Sequence, residues 1–188
     1  MTVCAVVLAA GLGSRFRGPE HKLLAVLDGR PVVYYAVAAA LESGLDDVLV
    51  VTGAVDIDGV LEAFGARVRR VVNPRYELGQ ATSLDRGIGV ARELGHRRAV
   101  VGLGDQPFVT AAAWSAVGVD DAPISVATYQ GRRGNPVGLA DAVWPLLPTG
   151  GDQGARALLR GRPELVHPVA CEGQPDDIDT VEDLRRWS

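Results

Sequence analysis

Gly11, Gly13 and Gly18, interleaved with Arg15, Arg17 and Lys22, form a segment whose residue types suit the gripping of a phosphate chain. Glycine admits backbone conformations that a side chain forbids, so successive N–H groups converge on an anion, and the neighbouring cations add full charges. A nucleoside triphosphate matches that donor set. A bare turn would gain nothing from closely spaced cations. Two further clusters carry carboxylates, Gly104-Asp105-Gln106-Pro107 and Asp176-Asp177-Ile178-Asp179-Thr180. A carboxylate at a strand end suits Mg²⁺, which needs few protein ligands because substrate phosphates and water complete its octahedron, but Asp105 equally suits capping the turn that follows. Alternation in Asp177-Ile178-Asp179 puts both carboxylates on one side of an extended segment with Ile178 facing the core. That arrangement serves a second metal contact or simply complements a helix N-terminus.

The elements that must hold these groups follow from the apolar pattern. Val3, Ala5, Val6, Val7 and Leu8 form a continuous apolar run of the kind buried on both faces of a parallel sheet, and it feeds directly into the glycine-rich loop. Strands are predicted over 3–9, 47–52, 67–72, 98–103, 124–129 and 164–169, and helices over 31–43, 56–64, 80–94, 110–117, 152–160 and 180–187. This alternation predicts a mostly parallel sheet covered on both sides. Pro31 suits a first helical position, Thr110 and Thr180 suit N-caps, and Thr180 with Asp183 reads as a capping box. Ligands of such sheets bind beyond the carboxyl ends of the strands, where each polar cluster falls. The segment 131–136 reads as a turn.

Competing loop chemistries fit poorly. The dinucleotide fingerprint needs glycine where the chain has Phe16, and the Walker spacing is absent. A formal charge of −4 argues against general nucleic-acid binding. No apolar run is long enough to span a bilayer and no signal-like segment opens the chain, so one domain over 1–188 and a cytoplasmic location are the expectation. Cys4 and Cys171 form no CxxC pair and read as buried, inert thiols, and His21, His96 and His167 have no metal-ligand spacing.

The string Leu8-Ala9-Ala10-Gly11, then Ser14-Arg15, Gly18 and Lys22-Leu23-Leu24, resembles the signature loop of the MobA-like nucleotidyltransferases, and among them most resembles the molybdenum cofactor cytidylyltransferases. The loop tip departs from the usual family Met-Gly at Phe16-Arg17-Gly18. The resemblance implies a single-domain, Rossmann-like three-layer α/β sandwich with a mostly parallel central sheet, of the nucleotide-diphospho-sugar transferase type. It further implies that Leu8, Ala9, Ala10, Gly11, Gly13, Ser14, Arg15, Lys22, Gly79, Ser83, Gly104 and Asp105 bind nucleotide, with Arg15, Lys22 and Asp105 catalytic. By the same resemblance Asp105 and Asp179 hold Mg²⁺, and Gly134, Asn135, Pro136, Asp152 and Arg156 meet the acceptor, with Arg156 one turn beyond Asp152 on the same helix. Leu-Ala-Ala-Gly accompanies CTP in the family and Leu-Ala-Gly-Gly accompanies GTP, so CTP is favoured.

The resulting expectation is transfer of CMP from CTP to a molybdopterin-type phosphorylated acceptor, with a molybdoenzyme as recipient of the product and no nucleic acid or membrane partner. Because the attacking phosphate is already ionised, positioning and charge neutralisation carry the reaction without a strong base. A transferase of the same fold using GTP or another small phosphorylated acceptor, and a non-catalytic nucleotide- or cofactor-binding module, are the alternatives. Lys22→Ala is expected to weaken triphosphate binding while leaving thermal stability nearly unchanged.

Overall fold

The computed structural model describes residues 2–187. Its elements in chain order are β1 (Val3–Ala9), β2 (Val26–Leu27), β3 (Arg30–Pro31), α1 (Val32–Glu42), β4 (Asp47–Thr52), α2 (Asp58–Leu61), β5 (Arg69–Val72), α3 (Gln80–Glu93), β6 (Arg98–Leu103), α4 (Ala111–Val119), β7 (Ile124–Tyr129), β8 (Arg132–Ala140), α5 (Arg156–Gly161), β9 (Val166–Ala170) and α6 (Val181–Trp187). One seven-stranded sheet has the order β5-β4-β1-β6-β8-β7-β9. Its pairings are parallel except for β8, which runs antiparallel to both β6 and β7.

The apolar run of β1 divides its side chains between two cores. Ala5, Val7 and Ala9 join α1 and α4 through Val33, Val37, Trp114 and Val117 on one face. Cys4 and Val6 join α3 and α5 through Leu84, Ile88 and Leu158 on the other. Burial on both faces is why the run shows no polar alternation. The Cys4 thiol is fully buried and pushed up to about 12 by desolvation first, with Asp47 adding to it, so it is inert. Cys171, expected to be buried as well, is only half-buried; it is free, and partial burial raises its pKa.

The segment 131–136 is not a turn. The reversal is confined to Gln130 and Gly131, both at positive φ (50° and 80°), the two-residue hairpin geometry that matches strand twist. The chain then re-enters the sheet as β8. Its pairing with β7 shifts register between Val126 and Thr128, opposite the stretch containing Pro136. Proline cannot donate to a ladder, so a bulge is where a strand can carry one. The helix predicted over 56–64 is split, with α2 followed by a 3-10 segment over Glu62–Arg67 that contains Gly65 at φ 58°. Pro31 stands at the N-cap of α1, one place before the expected position. Thr110 Oγ1 accepts from the Ala113 N–H, and Thr180 and Asp183 cap each other reciprocally, as predicted.

At the amino end of β6, Arg98 is fully buried. Its guanidinium donates to the carbonyls of Ala122 (2.9 Å) and Val117 (3.4 Å) and to Ser125 Oγ, and the Ser125 hydroxyl in turn donates to Asp120. Burial lowers its pKa, with the charges of Asp120 and Asp121 opposing that shift. Among the described residues no helix is long and apolar enough to cross a membrane.

Candidate functional site

Beyond the carboxyl ends of β1, β6 and the loop before α3 lies a cavity of about 540 Å³. Leu8 through Gly11, Gly13, Ser14, Arg15 and Lys22 line it, together with Gly79, Ser83 and Asp105. Gly104 does not reach the cavity. It supports the wall from beneath, where a Cβ would lie 3.2 Å from Ala9 Cβ and 3.3 Å from the Leu8 carbonyl oxygen.

The centre of the cavity is a charge cluster. Lys22 Nζ lies 2.5 Å from Asp105 Oδ2 and 2.8 Å from Asp179 Oδ1, and Arg15 meets the other oxygen of Asp179 at 2.9 Å. The Lys22, Asp105 and Asp179 side chains are only 11%, 17% and 19% exposed, whereas Arg15 is 74% exposed and its pair is weak. Burial draws the Lys22 ammonium down, but Asp105 and then Asp179 outweigh it, and its pKa lies above the ordinary lysine value. Asp105 Oδ1 is buried with no hydrogen-bond partner. Two converging carboxylates, one with an unsatisfied oxygen, are the hard donors a Mg²⁺ or Mn²⁺ ion takes. Among the described residues no cluster of three or more His, Cys, Asp and Glu side chains suits a metal, so an ion here would draw its remaining ligands from phosphate and water.

Backbone contacts fix this arrangement. The Gly104 N–H donates to the Leu8 carbonyl at 2.9 Å, joining the loops after β1 and β6, and the Ile178 N–H donates to the Asp105 carbonyl at 2.9 Å. Ile178 is fully buried, which turns Asp179 toward Lys22. His21, for which the sequence suggested no role, braces the glycine loop. Its Nδ1 accepts from the Leu23 N–H (3.2 Å), so Nε2–H donates to the Gly11 carbonyl (3.0 Å). Burial is the largest cause of its lowered pKa, with the charge of Lys22 acting in the same direction, in keeping with a neutral ring. Gly13, at φ 63°, closes over that ring, where a Cβ would come within 2.7 Å of Nε2.

Near Ala10 the cavity has two contributors that escaped the sequence. Tyr76 lines it, and Gly53 permits Tyr76 and Ala10 to approach, since a Cβ there would sit 2.7 Å from Tyr76 Cβ and 2.9 Å from Ala10 Cβ. Neither carries a recognisable local pattern. Ser83 Oγ accepts from Asn73 Nδ2 at 3.0 Å, which leaves its O–H as a donor, whereas Thr82 Oγ1 is engaged with the carbonyls of Arg75 and Gly79.

Asp152 departs from its expected place. The helix begins only at Arg156, and the preceding turn is pinned to the start of α3 by Ala81 N–H to Gly151 O (2.9 Å) and to the segment before α3 by Gly151 N–H to Leu78 O (3.1 Å). Asp152 therefore faces the first cavity, beside Gly79, instead of accompanying Arg156. Arg156 lies in a second cavity of about 720 Å³, with Gly134, Asn135, Arg132, Arg133 and Arg186. Pro136 is buried and lines neither. Asp179 lines both cavities and is their shared wall. Burial, reinforced by Asp105 and Asp179, raises the Asp177 carboxyl against the pull of Gln106 and Lys22.

Comparison with known proteins gives this geometry a context. A family model described as the MobA-like NTP transferase domain matches residues 5–169. Nicotine blue oxidoreductase of Paenarthrobacter nicotinovorans is 34% identical over 198 residues, spanning 98% of this chain and 95% of that protein. A nucleotidyl transferase from Methanothermobacter superposes with a TM-score of 0.84 at 28% identity, over 98% of this chain and 95% of the other. Rv0371c of Mycobacterium tuberculosis H37Rv, solved as a complex with manganese, gives a TM-score of 0.78 at 26% identity, over 100% of this chain and 98% of the other.

Proposed function

The chain belongs to the MobA-like NTP transferase family, and from that premise we propose that it transfers CMP from CTP to a molybdopterin-type phosphorylated acceptor with release of pyrophosphate. The observation that carries this reading is the Lys22, Asp105 and Asp179 cluster, set where one wall serves both cavities. A group passing from a ligand in the first cavity to a ligand in the second can cross at that wall.

In this mechanism the loop N–H groups, Arg15 and Lys22 bind the triphosphate, and the arginines of the second cavity hold the acceptor's phosphate. An acceptor phosphate oxygen attacks the α-phosphorus, a P–O bond forms, and the bond from the α-phosphorus to the bridging oxygen breaks in line with it. Pyrophosphate leaves with the electron pair. Asp105 and Asp179 would hold Mg²⁺, which when bound supplies Lewis-acid neutralisation of the phosphate oxygens. That Rv0371c was solved as a complex with manganese supports the use of a divalent ion. Ala10, at the base end, favours CTP.

The test is pyrophosphate release from CTP, GTP, ATP and UTP with Mg²⁺ and molybdopterin bearing or lacking molybdenum, beside Asp105→Ala. Release from CTP that needs both acceptor and Asp105 is expected. Release with another acceptor or nucleotide would retain the chemistry and overturn the substrate. Reduction of nicotine blue without pyrophosphate release would instead align the chain with the activity in its Paenarthrobacter relative's name.

A further inference from the structure

Gln106 follows Asp105, is 4% exposed, and has a side-chain amide engaged on three sides. Its Nε2 donates to the Pro175 carbonyl at 2.8 Å and to Asp177 Oδ1. Its Oε1 accepts from Asn135 Nδ2 at 2.9 Å. The polarity of this chain of bonds is forced. A backbone carbonyl can only accept, so the NH₂ group of Gln106 must face Pro175, which turns its oxygen toward Asn135. An oxygen can be satisfied only by the NH₂ of Asn135, which leaves Asn135 Oδ1 on the other side of its own amide. That oxygen meets no donor among the described residues, and Asn135 lines the second cavity.

Two neighbours hold Asn135 from behind. The Tyr129 hydroxyl donates to the Asn135 carbonyl at 2.6 Å, fixing the backbone. Gly134 lets the strand close on the 175–179 segment, since a Cβ there would lie 2.9 Å from Pro175 Cβ and 3.1 Å from the Tyr129 ring. Tyr129 and Gly134 hold the backbone, and the bond to Gln106 Oε1 fixes which end of the Asn135 side-chain amide is taken up.

We propose that Gln106 is a positioning residue for the acceptor, locking Asn135 so that its Oδ1 presents a hydrogen-bond acceptor to an N–H or O–H group on the substrate. The arginines around the same cavity take the anionic part, so the acceptor is a phosphorylated molecule whose body carries such a donor. Asp179 has ties of its own, through Ile178 N–H to the Asp105 carbonyl and through Lys22 and Arg15, besides the bonds that Gln106 makes to Pro175 and Asp177 in the same segment.

The kinetic arm of the test rests on the transfer reaction proposed above, and a second arm does not. With CTP, Mg²⁺ and molybdopterin, Gln106→Met is expected to raise the KM for acceptor by about tenfold while the KM for CTP stays within roughly twofold. Asn135→Ala should give a similar loss, and the double variant should be no worse than the more severe single variant, because the acceptor-facing part of both effects passes through Asn135 Oδ1. Independently of turnover, the side-chain amide protons of Asn135 in the wild-type protein should exchange about tenfold more slowly than those of an exposed asparagine. An unchanged acceptor KM in Gln106→Met, multiplied effects in the double variant, or fast exchange at Asn135 in the wild type would each overturn the proposal. If molybdopterin is not a substrate, or Gln106→Met does not fold, the wild-type exchange rate decides.

Discussion

Replacing Lys22 by methionine should destabilise the protein in a manner that a divalent cation reverses. One ammonium holds Asp105 Oδ2 at 2.5 Å and Asp179 Oδ1 at 2.8 Å, so these two oxygens are no more than about 5.3 Å apart. Methionine keeps the length of the side chain and removes the charge, leaving two carboxylates facing one another. At an effective dielectric constant of about 20, two unit charges about 5 Å apart repel by about 3 kcal/mol, and Arg15 on Asp179 offsets part of that. A net loss of about 2–3 kcal/mol corresponds to a fall in Tm of about 5–10 °C for a chain of this size. This revises the expectation that Lys22 could be removed with little thermal effect, because the structure buries the lysine between two acids. Melting is followed by circular dichroism in EDTA and again with Mn²⁺. The variant should regain several degrees more than the wild type gains, because the ion takes over the neutralising role. A Tm in EDTA within about 2 °C of wild type, or equal Mn²⁺ shifts in both proteins, would refute the reasoning.

Three further outcomes follow from close contacts. Gly79→Ala should cost at least about 2 kcal/mol and weaken nucleotide binding, because φ 102° and ψ 171° are glycine-only geometry and the new methyl would lie 2.5 Å from Asp152 Oδ1; calorimetric melting and CTP titration check both. Ala10→Gly should raise GTP use relative to CTP by about tenfold in a competition assay if Ala10 limits room for the base, and an unchanged ratio would move base choice elsewhere. Gly138→Ala should cost about 2–4 kcal/mol in denaturant unfolding, since its Cβ would come within 2.6 Å of the Arg98 guanidinium, and Arg98→Met should recover part of that loss.

What the sequence made legible depended on how locally each feature is specified. The strand β1, its glycine loop and the Thr180–Asp183 box are contiguous, and each was readable. The bracing of that loop by His21 was not, because the ring acts on carbonyl and N–H groups whose direction only the folded loop defines. β8 was misread as a turn because glycine, asparagine and proline within a strand mimic a reversal when the register shift that accommodates Pro136 is unseen. Asp152 was misplaced for a related reason. Its segment resembles a helix start, but two backbone bonds from residues 78 and 81 hold the turn open and delay α5 to Arg156. Gln106 lay beside the recognised Asp105, yet its three partners come from segments 29 to 71 residues away.

The buried guanidinium at the far end of the sheet limits the order in which this chain can change. Arg98 fills the space that any side chain at residue 138 would need, and it relies on Ser125 and two carbonyls for its hydrogen bonds. A descendant that first gains a methyl at 138 or loses the hydroxyl at 125 strands a charge in the core, whereas one that first exchanges Arg98 for an apolar side chain frees both positions. Neighbouring sites are thus open to drift in one sequence of steps and closed in the reverse, although the end of the sheet that holds the two cavities takes no part in the constraint.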